Sequence, residues 1–263
     1  MMKKNYDRRY FLGMAGGSAM GLALGMTASR VEASESEIRN LLSGFTWFKQ
    51  SGFRIEADKK IIYLDPYQIS TTPQDGDLVL VTHAHSDHCD PTSARRVIKA
   101  DGKIVTEPES AAKLKGIGSG ITQMKPGDEM NMDGIKINAV PAYNGNHPKS
   151  KNYLGFVVTL GDGRRIYHAG DTDQIPEMAD IRTDIALLPI GGTYTMNADQ
   201  AAEAIKVIRP KVAVPMHYGA VVGSARDADK FKQDLSGLIE VYIFKNGESI
   251  SPATGVIHIW KQH

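Results

Sequence analysis

The stretch "DLVLVTHAHSDHCDP", residues 77–91, constrains this chain most. Leu78 to Val81 form a short apolar run of the kind that makes a buried strand. It leads straight into His83, His85 and His88, three of the chain's eight histidines, with Asp87 between the last two. Asp90 then reads as an N-cap and Pro91 as the first residue of a helix. Ala94, Val97 and Ile98 would form one face of that helix, and Gly102 would end it. In an extended segment two residues apart, His83 and His85 point the same way. Asp87 and His88 follow on the turn into the helix and can face a second point nearby. A single divalent metal does not need all four donors; two adjacent metals do.

The rest of the composition narrows the setting. The 263 residues suit one large domain or two small ones. The net charge of +1 carries no electrostatic signature of nucleic-acid binding. One cysteine, Cys89, excludes an internal disulfide framework. Residues 1–33 have a signal-peptide layout: a basic start, a weakly apolar stretch from Phe11 to Ala28, and "VEA" ending at Ala33. The pair Arg8-Arg9 before "YFL" resembles a twin-arginine export signal. That route carries folded proteins and would suit a chain that takes up its metal before leaving the cytoplasm, so the twin-arginine machinery is an expected transit partner and the periplasm the expected location. An uncleaved membrane anchor is the alternative. Residues 34–44 read as a linker and 45–263 as the mature domain.

"TWFKQSGFRIEADKKIIYLDPY" looks like hairpin strands closed by Asp65-Pro66. Strand signals follow in "KIVT", "ITQMK", "GIKINAV", "YLGFVVTL", "RRIYHAGD", "DIALLPIGG" and "KVAVPMHYG", with helices after Pro108, after Asn197, and around Phe231, Leu235 and Leu238. Asn197 and Gln200 have capping-box spacing. Hairpins and helices mix in a way that suggests two mixed sheets packed together with helices outside. The polar clusters sit where strands end, His83 after "LVLVT", Asp171 after "RRIYHAG" and His217 after "KVAVPM", so one rim could gather them.

The order H-x-H-x-D-H, a later His, "GDT" and a final His resembles the metallo-β-lactamase superfamily. The strings "VPAYNGNHPK", "IYHAGDTDQIPEM", "LLPIGGTYTMNADQA" and "PMHYG" resemble its branch of small metal-dependent hydrolases related to ascorbate-6-phosphate lactonase and N-acyl-phosphatidylethanolamine phospholipase D. The likeness runs from about residue 45 to 235. It implies a four-layer αββα sandwich of α/β class, with the site at one edge. It also implies that His83, His85 and His147 hold a first metal, that Asp87, His88 and His217 hold a second, and that Asp171 bridges them. Asp87 and Asp171 would be the catalytic carboxylates.

Other residues carry weaker expectations. His168 suits a hydrogen-bonded position behind the site. Asp65 reads equally as a carboxylate orienting a ligand histidine or as a turn cap. Cys89 reads as a small packed residue. Thr193 and Tyr194, in the glycine-rich loop 191–196, could donate a hydrogen bond to a small-molecule substrate or sit in a tight turn. Tyr143 and Lys149 could do either as well. His258 and His263 lie outside every motif.

Two metals about 3.5–4 Å apart can share a hydroxide and clamp a carbonyl or phosphoryl oxygen. Hydrolysis of an ester, lactone or phosphodiester is therefore the leading expectation. Zinc is expected first, with manganese, iron or nickel as alternatives. A redox enzyme of the sulfur dioxygenase or flavodiiron kind is a rival. The flavodiiron form would need a flavin domain for which no chain remains, and position 85 holds histidine rather than glutamate. A periplasmic metal-binding protein without catalysis is the other rival. Changing Arg8 and Arg9 together to lysine should hold the precursor in the cytoplasm, as fractionation would reveal; normal export of that variant would refute the twin-arginine reading.

Overall fold

The computed structural model describes residues 34–260; the expected signal segment and His263 lie outside the described residues. The stretch expected as a linker is instead helical over α1 (Glu35–Leu41), because Ser34 and Glu37 form a reciprocal capping box at its start. Leu42, at its C-terminal end, is fully buried and fastens it to the core. Among the described residues no helix is long and apolar enough to cross a membrane.

The first sheet is built from β1 (Phe45–Trp47), β2 (Phe53–Ala57), β3 (Lys60–Leu64), β4 (Gly76–Val81), β5 (Ile98–Thr106) and β6 (Gly120–Gln123). Helix α2 (Pro91–Val97) joins β4 to β5, and α3 (Pro108–Lys113) joins β5 to β6. The second sheet holds β7 (Glu129–Met132), β8 (Ile135–Pro141), β9 (Leu154–Thr159), β10 (Arg165–His168), β11 (Ile185–Pro189), β12 (Val212–Met216) and β13 (Glu240–Val241). Helix α4 (Ala198–Ile208) links β11 to β12, and α5 (Ala225–Asp234) links β12 to β13. The chain then returns to the first sheet through β14 (Glu248–Ile250) and β15 (Ile257–Ile259), giving the order β15-β14-β1-β2-β3-β4-β5-β6.

Each sheet is mixed in the same sense. The hairpins β1–β2 and β2–β3 are antiparallel, then β3 to β6 run parallel. In the second sheet β7 to β10 form an antiparallel meander and β10 to β13 run parallel. Parallel strands need crossovers, and helices supply them. Alternation along β4 explains the layering. Leu78 and Leu80 join the large core that includes Phe156, Val158 and Leu187 of the second sheet. Val79 and Val81 face the other way, into a smaller core with Ala94, Val97 and Leu114. The result is the expected αββα sandwich.

Two expected boundaries differ. Helix α2 stops at Val97, and Ile98, with extended φ and ψ, already pairs with Gly76 on β4. Gly102 therefore lies inside β5 rather than after a helix. A Cβ there would come within 2.6 Å of Ile98 Cγ1, so the glycine is required for space. Helix α5 likewise ends at Asp234; Leu235 is buried as its C-cap, whereas Leu238 lies beyond it and is exposed.

Leu80 touches both the strand ladder and the inter-sheet core. Leu80→Ala should lower stability by about 2–5 kcal/mol, measured by urea unfolding; a loss within error of zero would contradict its place in that core.

Candidate metal centre

The parallel strands β3 and β4 of one sheet, and β10 to β12 of the other, end at a common rim, and the polar side chains leave from there. His83 follows Thr82 directly after β4. His85, Asp87 and His88 occupy the turn before α2, where the His85 carbonyl accepts the amides of His88 (3.0 Å) and Cys89 (2.7 Å). His147 comes from the β8–β9 connection, Asp171 from the end of β10 and His217 from the end of β12. A glycine precedes Asp171 for good reason: Gly170 has φ +63, and a Cβ there would meet the Leu154 carbonyl at 2.7 Å.

All seven residues that the family resemblance implies come together. Their donor atoms fall into three overlapping groups, each within 4.8 Å: His83, His85 and His147; His83, His88 and Asp171; Asp87, His88 and His217. Asp171 sits at the centre. Its Oδ1 lies 3.1 Å from both His88 Nε2 and His217 Nε2, and its Oδ2 lies 3.9 Å from His83 Nε2. Asp87 Oδ2 is 3.5 Å from His88 Nε2 and from His217 Nε2. His83, His88, His147, Asp171 and His217 are buried, Asp87 is half-buried, and His85 is exposed. The centre thus opens on the His85–Asp87 side.

A network behind the histidines sets which nitrogen carries the proton. Asp65 is completely buried at the end of β3. Its Oδ1 accepts the Thr82 amide (2.8 Å), and its Oδ2 accepts the Thr82 hydroxyl (2.7 Å) and faces His88 Nδ1 at 2.7 Å. A carboxylate only accepts, so His88 donates from Nδ1 and turns its Nε2 inward, toward Asp171. The Thr82 hydroxyl, having given its proton to Asp65, accepts from His83 Nδ1 at 3.0 Å. With its proton on Nδ1, His83 leaves Nε2 bare. Of the two readings open for Asp65, the structure shows the orienting carboxylate. Asn144, which no motif singled out, does similar work for His147. Its Oδ1 accepts the His147 amide at 2.8 Å, and its amide group donates to the Asp171 carbonyl at 3.2 Å.

Electrostatics follow from this crowding. Burial and the neighbouring His88 hold His83 well below the ordinary histidine range, so it is neutral. Burial would lower His88 too, but the carboxylates of Asp171 and Asp65 outweigh it and raise it well above. His217 is raised by Asp171 and Asp87 against its burial. Asp171, although buried, is held well below the carboxylate range by His88 and His217. Burial also opposes the charge on Asp87, and the neighbouring His217 and His88 hold it low. Cation uptake would have to expel the protons on the imidazoles.

The donor set fits divalent cations. His83 Nε2, His88 Nε2, His217 Nε2 and Asp171 Oδ1 are all buried without a hydrogen-bond partner. Unpaired buried polar atoms are expensive, and here they converge on one another. Imidazole nitrogens mixed with carboxylates suit zinc and its first-row neighbours.

His168 is buried, with Nε2 2.9 Å from the Ser51 carbonyl, and lies behind the centre as expected. Cys89 is buried, which pushes its thiol up to about 11. Tyr143 and Lys149 are both engaged with Glu177. Thr193 and Tyr194 are exposed on the loop after β11. That loop rests on the strand ends, with the Met196 amide donating to the Thr172 carbonyl at 3.4 Å.

Two packed mixed sheets with a histidine–carboxylate cluster on the shared rim define a metallo-hydrolase scaffold. The description "Beta-lactamase superfamily domain" matches residues 44–217. A metal-dependent hydrolase of Thermoplasma acidophilum is 38% identical over 202 residues, spanning 70% of this chain and 87% of that protein. Among solved structures, a metallo hydrolase from Ignicoccus hospitalis is 32% identical with TM-score 0.66, covering 82% of this chain and 98% of its own. CmlA, a diiron β-hydroxylase from Streptomyces venezuelae, shares the fold alone, at 13% identity and TM-score 0.62 over 76% of this chain and 52% of its own. The chain belongs to the metallo-β-lactamase superfamily, among its metal-dependent hydrolases.

Asparagine adopts the left-handed conformation that Asp65 has at φ +41, so Asp65→Asn changes charge with little strain. It should weaken cation binding about 10–100-fold, read by competition with a chelator. Unchanged affinity would show that the Asp65–His88 contact has no part in binding.

Proposed function

We propose that the protein hydrolyses an ester, lactone or phosphodiester bond of a small molecule with the help of two divalent cations, zinc first among them. His83, His85 and His147 would hold one, Asp87, His88 and His217 the other, and Asp171 would serve both. The observation that carries this reading is the position of Asp171, with Oδ2 toward His83 and Oδ1 shared at 3.1 Å by His88 and His217.

When bound, such a cation pair lowers the pKa of water and stabilises negative charge developing on a carbonyl or phosphoryl oxygen. The chain supplies the rest. Asp65 and Thr82 hold the Nδ1 sides of His88 and His83, so Nε2 of each already faces the site, and the proton on His88 Nε2 would leave as a cation binds. Asp87 stays ionised and, being half-buried on the open side, can accept a hydrogen bond from the attacking water. Substrate would enter past His85 and Asp87, because the other ligands are covered. No serine or cysteine nucleophile is invoked. A thiol pushed up to about 11 stays protonated at neutral pH, which suits a bystander role for Cys89. We also propose export by the twin-arginine route, supported by Arg8-Arg9 and "VEA".

Metal analysis and a hydrolase panel test the chemistry. Two cations per chain are expected, and Asp171→Ala should deplete both positions, whereas His217→Ala should empty mainly one. Full occupancy in Asp171→Ala would sink the bridging role. With an active substrate in hand, Asp87→Ala should lose nearly all turnover and Cys89→Ser should keep most of it. Reaction in oxygen-18 water should label the product directly. A trapped acyl- or phosphoryl-enzyme would refute direct attack by water.

A further inference from the structure

Gln50 lies in the turn between β1 and β2, outside every motif, and is completely buried. Its Nε2 donates to Asp87 Oδ2 at 2.8 Å. An ionised carboxylate only accepts, so chemistry alone orients this amide with nitrogen toward Asp87. Oδ2 is also the oxygen 3.5 Å from His88 Nε2 and His217 Nε2. The backbone carbonyl of the same residue accepts the His217 amide at 2.9 Å.

The turn is held firmly in an uncommon shape. Lys49 and Gln50 have φ +88 and +48, the left-handed region that residues other than glycine rarely occupy. Such a conformation persists only when its surroundings impose it. Three contacts do so besides the bond to Asp87. The Trp47 indole donates to the Gln50 carbonyl at 3.1 Å, His217 donates to that same carbonyl, and His168 Nε2 faces the Ser51 carbonyl at 2.9 Å. Oε1 of Gln50 is buried without a partner, a cost that space-filling alone does not justify.

We propose that Gln50 is a positioning residue that fixes the Asp87 carboxylate and the His217 backbone in the Asp87–His88–His217 group, and so sets that group's affinity for the second divalent cation. Its amide locks the carboxylate rotation of Asp87 while leaving Oδ2 a second lone pair for the cation. Its carbonyl holds the backbone of His217, itself at φ +57, in place. This inference rests on the two-cation reading above.

The test uses the full chain stripped of metal and titrated with Zn²⁺ against a chromogenic chelator, with elemental analysis and the Co²⁺ absorption spectrum as independent readouts. Wild type should take up two cations. Gln50→Met, similar in size but without a donor, should bind the first normally and the second about 10–100-fold more weakly, the usual cost of losing a partner behind a ligand. Gln50→His should recover most of that loss, because histidine offers a ring N–H and tolerates positive φ. A second affinity in Gln50→Met equal to wild type, or an equal loss at both positions, would overturn the inference while leaving the two-cation reading intact. Uptake of one cation by wild type would overturn both. If Gln50→Met does not fold, as judged by thermal unfolding, Gln50→His decides: a folded variant with wild-type second affinity supports the inference, and one that has lost it overturns it.

Discussion

The rim depends first on one buried carboxylate. Asp65 accepts from the Thr82 amide, the Thr82 hydroxyl and His88, so it joins the end of β3 to the end of β4 and both to the metal centre. The strands are parallel neighbours there, with Leu64 beside Leu80, and the Asp65 amide donates to the Leu80 carbonyl at 2.9 Å. Backbone register and imidazole tautomer are therefore set by the same residue. A buried carboxylate is tolerated only when every oxygen is paired, and Asp65 meets that condition with donors from the functional loop itself. The pairing of β3 with β4 and the orientation of two histidines thus depend on the same side chain.

Charge balance is the second constraint. Asp171 and Asp87 both approach His88 and His217, and the imidazoles oppose the repulsion between the two carboxylates. His83, equally buried but 3.9 Å from the Asp171 carboxylate, is pushed the other way by burial. Groups that titrate so differently within one small volume mark a functional centre more often than a structural one. Here the orphaned nitrogens give the mark a specific meaning, because a cation is the partner that satisfies several inward lone pairs together.

Much of this was legible in the sequence. The apolar run in "DLVLV" points to a strand leading into the histidine cluster, and the spacing of His83, His85, Asp87 and His88 points to two coordination points on one turn. The structure brings together with them three residues that follow other strands, His147, Asp171 and His217. Element ends were harder to read. Ile98 looked helical because it falls at the right spacing from Ala94, but pairing with Gly76 claims it for β5. The stretch before Phe45 reads as a linker because its short helix buries none of its own residues, and the spacing of Ser34 and Glu37 alone, with no apolar face behind it, does not mark a helix. Gln50 and Asn144 were invisible for a different reason. Their roles come from hydrogen bonds to residues distant in sequence or to a neighbouring backbone, and a lone amide side chain has no periodicity to betray it.

The centre draws its donors from both halves of the sandwich. His83, His85, Asp87 and His88 leave the first sheet, whereas His147, Asp171 and His217 leave the second. Between His83 and His217 lies most of the chain that forms the inter-sheet core. A cation bound here would act as a cross-link closing a very long loop, comparable in kind to a disulfide in a chain that has only one cysteine. Such a latch can close only after the two sheets have docked. Occupancy would then report the completeness of folding, and loss of the cation would let the sheets part more easily at this rim.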